Sequence, residues 1–160
     1  MRFKYILILA LSCFTLSNCG SSDDEDKPAS ILVADINGLK KTCKSIFITP
    51  NPNPYSNPHD GFGGATLETP NYIFDFKFPI NEGIGSYELS FDGNNTGGIW
   101  ISPKSDFFDP DNRYYKSIDG QITVTNITEK SYSGTFSFTA QEIDFDDIIT
   151  VTNGIFVVFY

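Results

Sequence analysis

The chain has 160 residues, 40% of them hydrophobic and 15% aromatic, with 20 Asp+Glu against 11 Lys+Arg and a formal charge of −9. Such an acidic balance repels polyphosphates and anionic lipid, so nucleic acid is excluded as an expected partner. The one histidine and three cysteines stand at none of the spacings a zinc site uses, and no cofactor is expected.

The N-terminus supplies an address. Arg2 and Lys4 form a short positive region, and Tyr5 to Leu11 with Phe14 to Leu16 form an apolar one. That apolar core runs roughly ten residues, about half of what spans a bilayer, so residues 1–18 read as a cleaved signal peptide. Leu16-Ser17-Asn18-Cys19 resembles the lipobox of bacterial lipoproteins, with Asn18 standing where those proteins carry a smaller residue. Cys13 is the poorer candidate, because cleavage there would leave an apolar Phe14-Thr15-Leu16 tail. The resemblance implies that Cys19 is acylated and that the acyl chains make the membrane contact, more than one chain giving a stable anchor. Ser21, Ser22, Asp23, Asp24, Glu25 and Asp26 then resemble the export signal of surface-exposed lipoproteins of Bacteroidota. By composition the same run is a solvated tether, and residues 19–30 are assigned to it. Loss of Arg2 and Lys4 with the signal peptide leaves 9 basic residues against 20 acidic ones, a charge of −11. The expected location is the outer membrane, lipid-anchored and facing the cell surface.

Residues 31–160 fit one domain with a core large enough to stand without disulfides. With Cys13 removed and Cys19 lipidated, only Cys43 remains, expected as a buried small hydrophobe. Apolar residues recur with period two in short runs. Ile31 to Ile36 leads through Asn37-Gly38, a hairpin signal, into an extended run from Leu39 to Thr49. Pro50 to Pro58, with His59 to Gly64, reads as a long exposed loop, since its prolines remove donors. Strands are predicted at Ala65–Glu68, Tyr72–Phe78, Ser86–Phe91 and Gly98–Ile101. Asp92 to Gly98 reads as a turn and Pro103 to Asn112 as a polar loop. Tyr114–Ser117, Gly120–Ile127, Ser133–Ala140 and Ile148–Tyr160 complete the set as half-buried antiparallel strands. Asn153-Gly154 is either a hairpin or a bulge, and the apolar run from Ile155 to Tyr160 must be paired on both sides or covered. The expected fold is all-β, a single antiparallel β-sandwich, with a partly open β-barrel as the alternative.

The pattern Gly120-x-Ile122-x-Val124, Ser133-Gly134-Thr135-Phe136-x-Phe138-x-Ala140 and Ile149-x-Val151-x-Asn153-Gly154-x-Phe156 is similar to a family of Bacteroidota lipoproteins of unknown function. The resemblance implies a lipobox, a polar linker and one β-rich domain, and it assigns no catalytic residue. His59 beside Asp60 reads as a solvated loop residue, and no Gly-x-Ser-x-Gly elbow accompanies it. Gly61-Phe62-Gly63-Gly64 lacks the strand and helix that would frame a phosphate cradle. The protein is therefore expected not to be an enzyme, a hydrolase working through carboxylates alone being the one enzymatic reading left. Asp106, Asp109 and Asp111 gather oxygen donors of the kind Ca²⁺ takes, but without the EF-hand Gly and Glu, and a turn built of Asp, Asn and Pro is the favoured reading. Asp144-Phe145-Asp146-Asp147 is weaker still. Trp100, Phe107, Phe108, Tyr114 and Tyr115, with Tyr55 and Phe62, offer flat faces that suit stacking on sugars, against the competing reading that they build core. The leading expectation is a binding or scaffolding module that takes a protein or polymer through its loops; the alternative is a glycan-binding surface lipoprotein. Oligomeric state is not encoded in any motif.

Overall fold

A computed structural model describes residues 28–49, 60–79, 82–104, 106 and 108–159. Among them there is no helix, and ten strands form one sheet. These are β1 (Ile31–Ile36), β2 (Leu39–Cys43), β3 (Ser45–Thr49), β4 (Asp60–Ala65), β5 (Asn71–Phe78), β6 (Gly85–Glu88), β7 (Thr96–Ser102), β8 (Arg113–Ile127), β9 (Ser131–Glu142) and β10 (Ile148–Phe159). Their order is β2-β1-β10-β9-β8-β7-β5-β4-β3, with β6 continuing the line of β7 along the lower half of β8. The two ends of that order, β2 and β3, are consecutive in the chain. The run from Leu39 to Thr49 is one ribbon bent at Lys44, whose amide donates to the Ala65 carbonyl at 2.9 Å. Above the bend it pairs with β1, below it with β4. The sheet is thereby rolled into a nearly closed barrel. The all-β expectation holds, and the arrangement is the barrel alternative rather than two stacked sheets.

Alternation decides which side chains enter the barrel. On β5, Phe74, Phe76 and Phe78 are fully buried while Ile73, Asp75 and Lys77 face out. The Phe76 ring lies 5.0 Å from Phe62, 4.7 Å from Phe136 and 5.9 Å from Phe138, and Phe62 lies 4.9 Å from Phe156. Strands from opposite walls thus meet ring to ring. Rings of this size fit because glycine stands opposite them: a Cβ on Gly134 would strike the Thr123 carbonyl and the Phe156 ring.

Two expectations are overturned, and the first is the strand predicted at Ala65–Glu68: β4 ends at Ala65, and 66–70 is a connection. Residues 60–64, read as part of an exposed loop, form β4, paired on one side with β3 and on the other with β5. Phe62 at its centre is buried in the core. Glycine is a poor strand former alone, but two flanking ladders and close neighbours override that preference. Asn37-Gly38 turns the first hairpin with φ of 48° and 80°, as its sequence implies. Asn153 (φ 53°) sits instead in a bulge, where the β9 register slips between Val151 and Gly154. The terminal apolar run is paired on both sides, by β1 and β9. Cys43 is buried, and burial pushes its thiol up to about 12.

Antiparallel pairing also gives the barrel two distinct ends. β1, β4, β7 and β9 all run the same way, so the connections 37–38, 66–70, 103–112 and 143–147 share one end. Pro28 to Ser30 and the last residues of β10 lie at the other, where the Phe159 amide donates to Ser30 Oγ at 3.0 Å.

The packing predicts that Phe76→Ala loses about 3–5 kcal/mol of stability. Urea unfolding measures this, and a loss under about 1 kcal/mol would contradict the central position of that ring.

Candidate functional site

The loop-bearing end is built on a rigid base. Arg113, at the start of β8, places Nη1 3.4 Å from Glu142 Oε2 and 3.9 Å from Asp147 Oδ2. Glu142 is buried, and this guanidinium is its counter-charge. Tyr115 Oη donates to Asp147 Oδ2 at 2.8 Å, and the Ile143 amide donates to the Tyr114 carbonyl. Loop 143–147 is thus clamped to β8. On the opposite side Lys41 Nζ bonds Glu68 Oε1 at 3.0 Å and lies 4.5 Å from the Tyr72 ring, fixing loop 66–70 to β2.

Loop 103–112 is held from within. The Asp106 carbonyl accepts from Ser102 Oγ, from Asn112 Nδ2 and from the Asp109 amide. Asp106 Oδ1 accepts from the Phe108 amide, and Asp109 Oδ1 from the Asp111 amide. Lys104 Nζ sits 3.1 Å from both Asp109 Oδ2 and Asp111 Oδ2. Of the three candidate calcium ligands, two already hold the ammonium of Lys104, and Asp106 is spent on the turn. The Asp111 amide, and after it Lys104, hold the Asp109 carboxyl below its usual range, while the two carboxylates raise the Lys104 ammonium.

What this base carries outward is apolar. Leu39, Leu67, Phe108, Ile143, Phe145 and Ile148 are all exposed at the loop end, Phe108 by 90% and Phe145 by 65%. Leu67 has φ of 58°, a left-handed conformation costing a non-glycine residue roughly 1–2 kcal/mol. Its neighbour Thr66 is held twice, its amide donating to the Tyr72 carbonyl and its Oγ1 accepting from the Tyr72 amide. Single exposed apolar residues are ordinary on a protein surface, and Ile31, Ile84 and Ile127 are such residues toward the other end; what sets the loop end apart is the exposure of two phenylalanine rings, Phe108 and Phe145.

The aromatic residues singled out by sequence fall in different places. Trp100 and Tyr114 are neighbours on the outer wall, with ring centroids 4.6 Å apart. Phe108 is at the loop end, remote in character from a stacked platform. Tyr115 is only 3% exposed and Phe62 is fully buried, so neither offers a face to a ligand. Their strand positions point inward, and alternation puts Tyr114 and Tyr115 on opposite faces. Tyr55, His59 and Phe107, together with Cys19, Ser21, Ser22, Asp23, Asp24, Glu25 and Asp26, lie outside the described residues.

Sequence reasoning missed Leu39, Leu67, Ile143, Phe145 and Ile148 as surface groups. A signal existed at Ile143-Asp144-Phe145-Asp146-Asp147, where apolar residues stand isolated between acids that no buried strand would tolerate. Sequence reasoning did not single out Asp75. Burial raises the Asp75 carboxyl against the pull of Lys77, and burial followed by the Asp75 charge pushes the Tyr114 phenol up to about 12.

Residues 68–159, spanning β5 to β10, match the family model described as a domain of unknown function, DUF6252. No curated protein matches the chain, and no solved structure does.

Because the folded loop favours ionised Asp109, its contribution is present at neutral pH and is lost as pH falls through the lowered pKa. The protection of the Phe108, Asp111 and Asn112 amides against exchange, relative to an unfolded chain at the same pH, should therefore fall below about pH 4, and Asp109→Asn should show that lower protection already at pH 7. Exchange in the variant indistinguishable from the parent would contradict the ionic lock.

Proposed function

The chain belongs to the DUF6252 family, and on that premise we propose that it is a lipid-anchored cell-envelope protein displaying a non-enzymatic binding or scaffolding module at the outer membrane surface. The observation that carries this reading is the polarity of the barrel along its axis. The tether joins at one end, beside the last strand, and Phe108 and Phe145, the two most exposed phenylalanines among the described residues, stand at the opposite end. An anchor at Cys19 followed by an acidic tether would hold the apolar end away from the membrane. The interior supports the same view, since rings at 4.7–5.0 Å separations fill it and leave ligand contact to the outside. The membrane contact is made by the acyl chains on Cys19, and the partner at the loop end is a protein or a polymer with apolar character.

On intact cells, surface protease should remove the barrel, and Cys19→Ala should release the chain from the membrane fraction. A photo-crosslinking residue at position 108 or 145 should capture a partner that one at Glu129, beside the tether end, does not. Retention of the Cys19→Ala chain in the membrane, or equal capture at all three positions, would overturn the reading.

A second reading, a glycan-binding surface lipoprotein, draws support from the Trp100–Tyr114 pair on the outer wall. A glycan array should then show saturable binding that Trp100→Ala removes while the thermal midpoint stays put; the absence of any glycan signal would dismiss it.

A further inference from the structure

We propose that the outer wall of the barrel carries a second binding site, centred on Asp75, for an ammonium or guanidinium group of a basic polypeptide. It is separate from the loop end, and failure of either leaves the other intact.

The site follows from strand register. Asp75 faces out from the middle of β5, and both of its cross-strand partners are glycine, Gly63 on β4 and Gly98 on β7. The space above those glycines is filled by aromatic rings from one strand further away. A Cβ on Gly63 would strike the tip of the Phe47 ring, and a Cβ on Gly98 would strike the Tyr114 hydroxyl. Two aromatic side chains thus lean in from opposite sides over the residues flanking Asp75, and Trp100 packs against the second of them. They crowd the half-buried carboxylate without giving it a hydrogen bond.

The charges around it are accounted for strand by strand. Among the described residues, no hydrogen bond or ion pair reaches the Asp75 carboxylate. On β5, Lys77 acts on it through space only. On β8, Lys116 stands opposite Gly98, yet its ammonium lies over the Phe91 ring at 4.6 Å. The nearest residue groups of β4 and β7 are the glycines themselves. On β2, Lys41 is committed to Glu68 and Tyr72. A partly desolvated carboxylate is normally paired, because burial penalises its charge and a counter-ion offsets that penalty. Here the missing counter-ion fits an external cation, which would gain the carboxylate on one side and ring contacts on the others. An excess of nine acidic charges draws such a group in. The site is a shallow station on an open strand wall rather than an enclosed pocket, which suits a side chain presented by a longer chain over a small free amine.

The only tryptophan in the sequence, Trp100, reports on the site. In full-length protein held in neutral detergent, hexalysine or hexa-arginine should change Trp100 emission saturably. Asp75→Asn should weaken that binding at least about tenfold. Phe47→Ala should weaken it as well, and Glu129→Gln, which removes an exposed acid near the tether end, should bind as the parent does. The Asp75→Asn variant keeps the side-chain shape and should fold with an unchanged or higher thermal midpoint, so lost binding cannot be laid to unfolding. Equal binding in Asp75→Asn and Glu129→Gln would reduce the effect to general attraction by an acidic surface and overturn the site. A response to phosphocholine micelles or to a neutral oligosaccharide that depends on Asp75, without one to the basic peptides, would overturn it as well.

Discussion

Ring packing inside a narrow barrel is the constraint from which the other features descend. Phe62, Phe76, Phe136 and Phe156 come from four strands on facing walls and meet at centroid distances of 4.7–6.5 Å. Offset and edge-on contacts between such rings add to the hydrophobic gain of burying them. Their bulk has to be matched by small residues nearby, and Gly97, Gly134 and Gly154 provide the room. The bulges in β1, β8 and β10 let long strands curl around this filling. A core filled in this way leaves little room for a ligand inside the barrel.

Two parts of the barrel's outside are unusual, and both follow from the same geometry. Strands of an antiparallel barrel deliver alternate loops to one end, so a chain whose first strand leaves the tether collects four loops at the far end. On the wall, the glycines that admit Phe47 and Tyr114 also leave Asp75 with no side chain directly across from it on either neighbouring strand. The aromatic coat and the solitary carboxylate are two results of one substitution pattern.

Much of this was legible in the sequence. Phe74-x-Phe76-x-Phe78 and Phe136-x-Phe138 announced their faces, Asn37-Gly38 announced its turn, and the C-terminal run demanded two neighbours and has them. The β4 strand was not legible, because Asp60-Gly61-Phe62-Gly63-Gly64 has the composition of a loop and becomes a strand only when two distant ladders grip it. Closure was hidden for a related reason: an eleven-residue extended run does not reveal that Lys44 divides it between two partners. Tyr114 and Tyr115 looked equivalent until the bulged β8 assigned one to the wall and the other to the core. The unpaired state of Asp75 was out of reach, since it depends on where Lys116 points rather than on its being present. Among the loop-end residues, Phe108 was singled out and the acids around Ile143 and Phe145 gave a signal, whereas Leu39, Leu67 and Ile148 gave none.

The bond between Phe159 and Ser30 has a mechanical meaning. In the proposed arrangement, a pull through the residues before Ser30 would enter the barrel at the start of β1, directed along that strand, and a partner at the loop end would pull the opposite way. The rungs joining β1 to β2 and to β10 then lie across the line of force and share it together, instead of parting one after another as in a peeled strand. A domain loaded in this direction resists extension by its whole first ladder at once, which is the orientation a tethered module needs if its partner is large or moving.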